Sequence, residues 1–391
     1  MEVFRTRVGQ AAEGDYYFPR DYLDDRFWRK IRNGEQLLVS APRRIGKTSF
    51  LKNICSKENT DYLVKYFIIE SADNSDDFFR QLYKKLLEYF SGMKRLREFV
   101  GDFLKSKQIT KIGRDGIELH EVDLDYFEEL KSLITQVALD KKLVFIVDEF
   151  SEVVENVINV RGKDQARKFL HMNRELRHEE ELIDKIQFVY SGSIGLESLA
   201  ESIDATKIIN DLADFPIPTL SEEKDEAVSM IDYLTINQEL SFEREVKQYL
   251  IDRIHWLMPY YIQVILTEVE TILIESGMQL VVTTEIIDHA IDEALKKRNY
   301  FEHWFTRLKK AFGGENYNFA ITMLNALAES EKAVRKTQLF DLGVKYDIRD
   351  ENTGRILRIL EYDGYISQDE KRMYYFNSPL LKIWWRKNIM V

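Results

Sequence analysis

A single cysteine, Cys55, stands in a chain of 391 residues. That excludes an internal disulfide and suits a reducing, cytoplasmic compartment. No Cys/His ligand spacing occurs anywhere, which excludes a structural zinc site of the usual kind. No apolar run approaches the roughly 18 residues that a spanning helix needs. The start, Met1-Glu2-Val3-Phe4-Arg5, lacks the charged-then-apolar pattern of an export signal. The sequence therefore predicts neither secretion nor a membrane span. Basic residues are outnumbered, 56 against 67, for a net charge of −11, which argues against broad nonspecific adhesion to nucleic acid. Neither internal repeats nor low-complexity tracts are present. What remains is 45% apolar and 12% aromatic residues, ample for the cores of two or three domains.

The most informative stretch runs from Leu37 to Leu51, where an apolar strand pattern (Leu37–Ser40) breaks into the loop Ala41-Pro42-Arg43-Arg44-Ile45-Gly46-Lys47-Thr48-Ser49 and then into an apolar-periodic helix. This is the pattern of a phosphate-binding loop. Backbone N–H groups must approach the anion closely, so glycine is needed at Gly46, and the following helix offers its positive end. Lys47 supplies a point charge to the β- and γ-phosphates, and the Thr48 hydroxyl is placed to ligate Mg²⁺. The usual first glycine is Ala41 here, a substitution tolerated if that residue keeps a negative φ.

About a hundred residues later, Leu143–Asp148 forms a continuous β-branched and aromatic run of the kind buried on both faces of a parallel sheet. It ends in Asp148-Glu149, at the strand edge where doubly wound sheets bind ligands. Asp148 is the expected holder of Mg²⁺ and Glu149 the expected activator of the attacking water. Strand patterns at Gln36–Ser40, Leu63–Glu70, Leu143–Asp148 and Ile186–Ser191 alternate with helical ones, which predicts an α/β P-loop core with a parallel sheet and helices on both faces. A small hairpin insertion is expected at 108–120. Arg174 and Arg177, three apart, share one helix face just upstream of the Ile186–Ser191 strand. An arginine there, delivered to the γ-phosphate, would act as a finger, in its own subunit or a neighbour's.

After Pro216-Ile217-Pro218 the strand signal gives way to helical periodicity. The expected domains are a core over 1–215, an all-α lid over 216–316 and, beyond Gly313-Gly314, a winged-helix domain over 317–391. In this last block three helical patterns precede a ribbon with the charged turn Asp369-Glu370-Lys371-Arg372. Arg355 and Arg358 lie on one face of its third helix. Residues 317–391 hold 12 Lys/Arg against 10 Asp/Glu, whereas 1–316 hold 44 against 57. The basic excess is slight and interleaved with Asp350, Glu351, Glu361 and Asp363, which favours contact with protein over contact with DNA.

These segments, together with Ser191-Gly192-Ser193-Ile194-Gly195-Leu196 and the terminal Tyr375-Phe376-Asn377-Ser378-Pro379-Leu380-Leu381-Lys382-Ile383-Trp384-Trp385, resemble the archaeal-type ATPases of the STAND class, a branch of the AAA+-like P-loop proteins. The resemblance spans nearly the whole chain. It implies an ATP-hydrolysing conformational switch made of core, lid and winged helix, with ATP or ADP and Mg²⁺ as ligands and a protein partner or self-assembly as its output. It further implies that Tyr17 and Arg20 lie near the adenine, that Ser191 or Ser193 senses the γ-phosphate, and that Pro259, in His255-Trp256-Leu257-Met258-Pro259-Tyr260, abuts the nucleotide. The same order of core, lid and winged helix occurs in origin-recognition ATPases, so a DNA-binding initiator or loader is the alternative. A scaffold that holds ADP without hydrolysis is disfavoured by the intact Asp148-Glu149 pair.

Overall fold

The computed structural model describes residues 4–69, 71–106, 112–113, 116–117, 124–192, 195–221, 225–235, 239–277 and 280–390. The chain divides into two compact units, one of residues 20–40 and 50–216, the other of residues 1–19, 41–49 and 217–391.

The first unit carries, in chain order, β1 (Gln36–Ser40), β2 (Tyr62–Ile68), the short β3 (Ile112–Gly113) and β4 (Gly116–Ile117), β5 (Lys142–Asp148), β6 (Ile186–Ser191) and β7 (Leu212–Pro216). β3 and β4 pair antiparallel with each other. The other five form one parallel sheet in the order β2-β5-β6-β1-β7. Residues Leu143 to Val147 of β5 are all buried, each contributing roughly 1.5–3 kcal/mol of burial.

The pleat sends alternate residues to opposite faces. Leu38, Phe67, Leu143, Phe145, Val147, Phe188 and Tyr190 join one core with the helices Ser75–Gly92, Tyr126–Gln136, Phe150–Arg161 and Lys163–His178. The first of these helices shows why it forms. Phe78, Leu82, Leu86 and Phe90 recur at helical spacing, and the Asn74 side chain accepts the Asp77 N–H at 2.8 Å as an N-cap. On the opposite face Phe215 packs with Phe27 and Phe50. Pairing across the sheet (Phe215 with Val39, Val39 with Ser191, Val189 with Ile146) puts Ser191 and Asp148 on this second face. β7 was not expected from the sequence. It is an edge strand whose pairing comes wholly from β1, and its terminal Pro216 is tolerated there because nothing beyond it requires an N–H.

The second unit is mostly helical. Its first helices after residue 216 are Glu226–Leu234, Arg244–Ile254, Pro259–Glu275 and Thr284–Lys296. Pro259 opens its helix at the position where a missing N–H costs nothing. After Glu302–Ala311 come the helices Gly314–Glu329, Lys336–Lys345, Asp350–Tyr362 and Pro379–Asn388, with β8 (Val334–Arg335), β9 (Ile366–Gln368) and β10 (Met373–Phe376) forming an antiparallel sheet in the order β8-β10-β9. Trp384 and Trp385 of the last helix are buried. No helix among the described residues is long and apolar enough to cross a membrane.

Candidate functional site

The loop Ala41–Ser49 follows β1 and runs into the helix Lys47–Ser56. Two of its residues take the left-handed conformation, Arg44 (φ 67°) and Gly46 (φ 99°), whereas Ala41 does not, so its methyl group is accommodated where the usual pattern has glycine. The Lys47 side chain is curled onto its own loop. Its ammonium donates to the carbonyls of Ala41 at 2.5 Å and Pro42 at 3.1 Å, which fixes the charge over the loop rather than in bulk solvent. Ser49 Oγ accepts the N–H of Ala12 at 2.9 Å.

Downstream residues of the same unit close on this loop. The Arg44 guanidinium lies 5.0 Å from the ring centroid of Tyr260, the residue after Pro259, a cation–π contact worth about 0.5–1 kcal/mol or more. The imidazole of His303 sits between the rings of Tyr260 and Trp304. Burial, then the positive charges of Arg44 and Arg43, push its pKa down to about 3. The turn Asp363-Gly364 between the helix Asp350–Tyr362 and β9 also packs here. A Cβ at Gly364 (φ 87°) would lie 3.0 Å from Pro42 Cβ and 2.8 Å from Trp256 Cη2, so only glycine fits. Asp363, 2% exposed, is bonded to the equally buried Arg307 at 2.8 Å. Burial pushes its carboxyl up against the pull of Arg307, Arg43 and Lys47. Asp363, which the sequence shows only as one of several acids interleaved with the basic residues of this block, is a buried one.

In the first unit, Asp148 ends β5 and is 2% exposed. Each of its two oxygens accepts a hydrogen bond. Oδ1 accepts the Glu149 N–H at 3.0 Å, and Oδ2 accepts the Tyr66 hydroxyl at 2.6 Å. Glu149 itself is left-handed (φ 59°) at the start of the helix Phe150–Arg161. A non-glycine residue held there costs free energy and is a common mark of a functional turn. Ser191, at the end of β6 and 1% exposed, has a hydroxyl without a hydrogen-bond partner among the described residues, the condition of a group awaiting a ligand or water. The next residue, Gly192, is held so close to the helix start that an added Cβ would fall 1.6 Å from Ser151 Oγ and 2.9 Å from Glu152 Oε2. Ser193 lies outside the described residues.

Four more of the expected site residues have the following surroundings. Arg177 is buried in a two-pronged ion pair with Asp211 (2.6 and 2.9 Å). Arg174 bonds to the Lys207 carbonyl, to Asn210 and, at 3.5 Å, to Asp211. Asp211 immediately precedes β7, whose pairing begins at Gln36. The pair is therefore anchored at the N-terminal edge of the sheet, away from the exit of β1 into the phosphate loop. Tyr17 is buried beside the short turn Gly14–Tyr16. Arg20, also buried, donates to the Tyr22 hydroxyl at 2.5 Å.

No family model and no curated protein matches the chain. Among solved structures it is similar to the Walker-type ATPase PABY2304 of Pyrococcus abyssi, with a TM-score of 0.61 and 14% identity over 97% of this chain and 99% of that one. It is also similar to the ORC2 protein of Aeropyrum pernix, solved as ADPNP–ADP complexes, with a TM-score of 0.54 and 11% identity over 93% and 91%. Along nearly its whole length, then, this chain shares the fold of these two proteins.

Proposed function

We propose that the protein is a Mg²⁺-dependent ATP-binding and ATP-hydrolysing conformational switch of the STAND/AAA+-like class, with a core over 1–215, a lid over 216–316 and a winged helix over 317–391. One observation carries the switch reading: the phosphate loop is in contact with both downstream segments, through Arg44 on Tyr260 and through Pro42 under the turn Asp363-Gly364. Anything that reshapes the loop must then strain or release those contacts. An anion bound there would also compete with the Asp363 carboxylate for Arg43 and Lys47.

In this reading the loop N–H groups with Gly46 and Lys47 hold the phosphates, and Tyr17, Arg20 and Pro259 border the base and sugar. Thr48 and Asp148 are the oxygen donors for Mg²⁺, a hard cation that takes one or two protein oxygens and completes its shell with phosphate and water. The orientation of Asp148 by two hydrogen bonds suits that role. The metal would neutralise charge developing on the phosphates. Glu149 would orient and deprotonate the attacking water, and the open hydroxyl of Ser191 would read the γ-phosphate, with Ser193 the alternative. Of the two arginines, Arg174, about a third exposed, is the one able to reach a neighbouring subunit. The output would pass to a protein partner or to self-assembly in the cytoplasm.

A second reading, an initiator or loader that grips DNA, is favoured by the exposure of Arg355, Arg358, Lys371 and Arg372. A steep loss of duplex affinity with salt would support it. The primary test is calorimetric titration of ATP and ADP into wild type and Lys47→Ala. Saturable binding that the variant loses is expected, and equal affinities in both would overturn the phosphate-loop assignment.

A further inference from the structure

Tyr66 is a residue that the sequence pattern does not single out. It belongs to β2, which pairs with β5 in the register Tyr66 to Ile146 and Ile68 to Asp148. Because side chains alternate along a strand, Tyr66, Ile146 and Asp148 share one face. Tyr66 stands one pleat behind the carboxylate, and the length of a tyrosine spans that step. Its hydroxyl donates to Asp148 Oδ2 at 2.6 Å, within the short range of a hydrogen bond to an ionised acceptor. The other oxygen is held by the Glu149 N–H at 3.0 Å. Two donors, a side chain on β2 and the backbone N–H that follows β5, therefore fix the carboxylate plane. An aspartate at the end of a strand would otherwise rotate freely about its terminal torsion.

We propose that Tyr66 is a positioning residue for the metal site: it holds Asp148 in the orientation from which the carboxylate meets Mg²⁺ or its water shell. This rests on the nucleotide-switch reading above. Partners that orient a ligand from behind typically change metal affinity by about 10- to 100-fold when removed. The hydroxyl need not move a proton. Its contribution is to remove the wrong orientations before the metal arrives.

The test uses the full chain and a fluorescent N-methylanthraniloyl derivative of ATP. Affinity is measured first in EDTA and then during a Mg²⁺ titration, for wild type, Tyr66→Phe, Asp148→Asn and the double variant. Phenylalanine keeps the ring, and thermal melting verifies that the variants fold. For Tyr66→Phe the affinity in EDTA should stay within twofold of wild type, while half-saturation by Mg²⁺ rises about tenfold or more. In the Asp148→Asn background the same change should add nothing further, because the effect passes through that carboxylate. Wild-type Mg²⁺ dependence in Tyr66→Phe overturns the proposal while the switch reading stands. So does an effect that persists undiminished without the Asp148 carboxylate. A wild-type protein that binds the probe neither with nor without Mg²⁺, or as well with Lys47→Ala, overturns the switch reading and this inference together.

Discussion

Acidification should destabilise this protein through His303, by an amount that follows from its surroundings. The imidazole is wedged between Tyr260 and Trp304, and burial with Arg44 and Arg43 pushes its pKa to about 3. The unfolded chain titrates near 6.5. Above that value both states are neutral and the residue contributes no pH dependence. As pH falls below about 6.5 the unfolded state takes up a proton that the folded state refuses, so stability drops, at up to ~1.4 kcal/mol per pH unit. Between pH 7.5 and pH 5 the loss is on the order of 2 kcal/mol. His303→Phe keeps a ring in the slot and removes the titration. Urea unfolding of both proteins at the two pH values cancels the contributions of the other histidines and of the carboxylates, which both chains share. The variant should lose less stability than wild type by that amount. An equal acid loss in both would refute the argument, because it would mean that the folded chain accepts the His303 proton. An anion bound at the loop would offset Arg43 and Arg44, so ATP should shrink the difference.

Glu149→Gln should retain ATP binding and slow hydrolysis by about two orders of magnitude or more, the scale of losing a base or a water-positioning group; steady-state phosphate release within twofold of wild type would remove Glu149 from the chemistry. Arg307→Met should cost roughly 3–5 kcal/mol, because it leaves the Asp363 carboxylate buried without its partner. The double variant Arg307→Met/Asp363→Leu should recover most of that in denaturant melts, and a single variant as stable as wild type would contradict the buried pair.

How legible all this was in the sequence depended on whether the cause was local. β1, β5 and β6 announce themselves because strands buried on both faces must be continuously apolar, as Leu143–Val147 is. β7 did not, because Asp214 breaks its short apolar run, Pro216 ends it, and the strand exists by virtue of pairing with β1. The phosphate loop and the Asp148-Glu149 edge were readable because their chemistry dictates residue types at fixed spacing. Tyr66 was not, since its role depends on strand register rather than on its neighbours in sequence. Arg174 and Arg177 do share a helix face, yet their partner Asp211 lies more than thirty positions away. Nothing in sequence separates Asp363 from the acids near it, and only packing against Arg307, 56 positions upstream, reveals it as buried.

In the proposed switch the phosphate loop and the turn Asp363-Gly364 act as one element, released by ATP. Hydrogen exchange of the Glu149→Gln protein, compared without nucleotide, with ADP and with Mg²⁺ and ATP, tests it directly. ATP should protect peptides covering 41–49 and, in the same sample, deprotect those covering 360–366, where the amides of Gly364 and Tyr365 bond to the carbonyls of Glu361 and Leu360. ADP should leave the second segment protected. Protection of 41–49 by ATP with no change at 360–366 would contradict the switch.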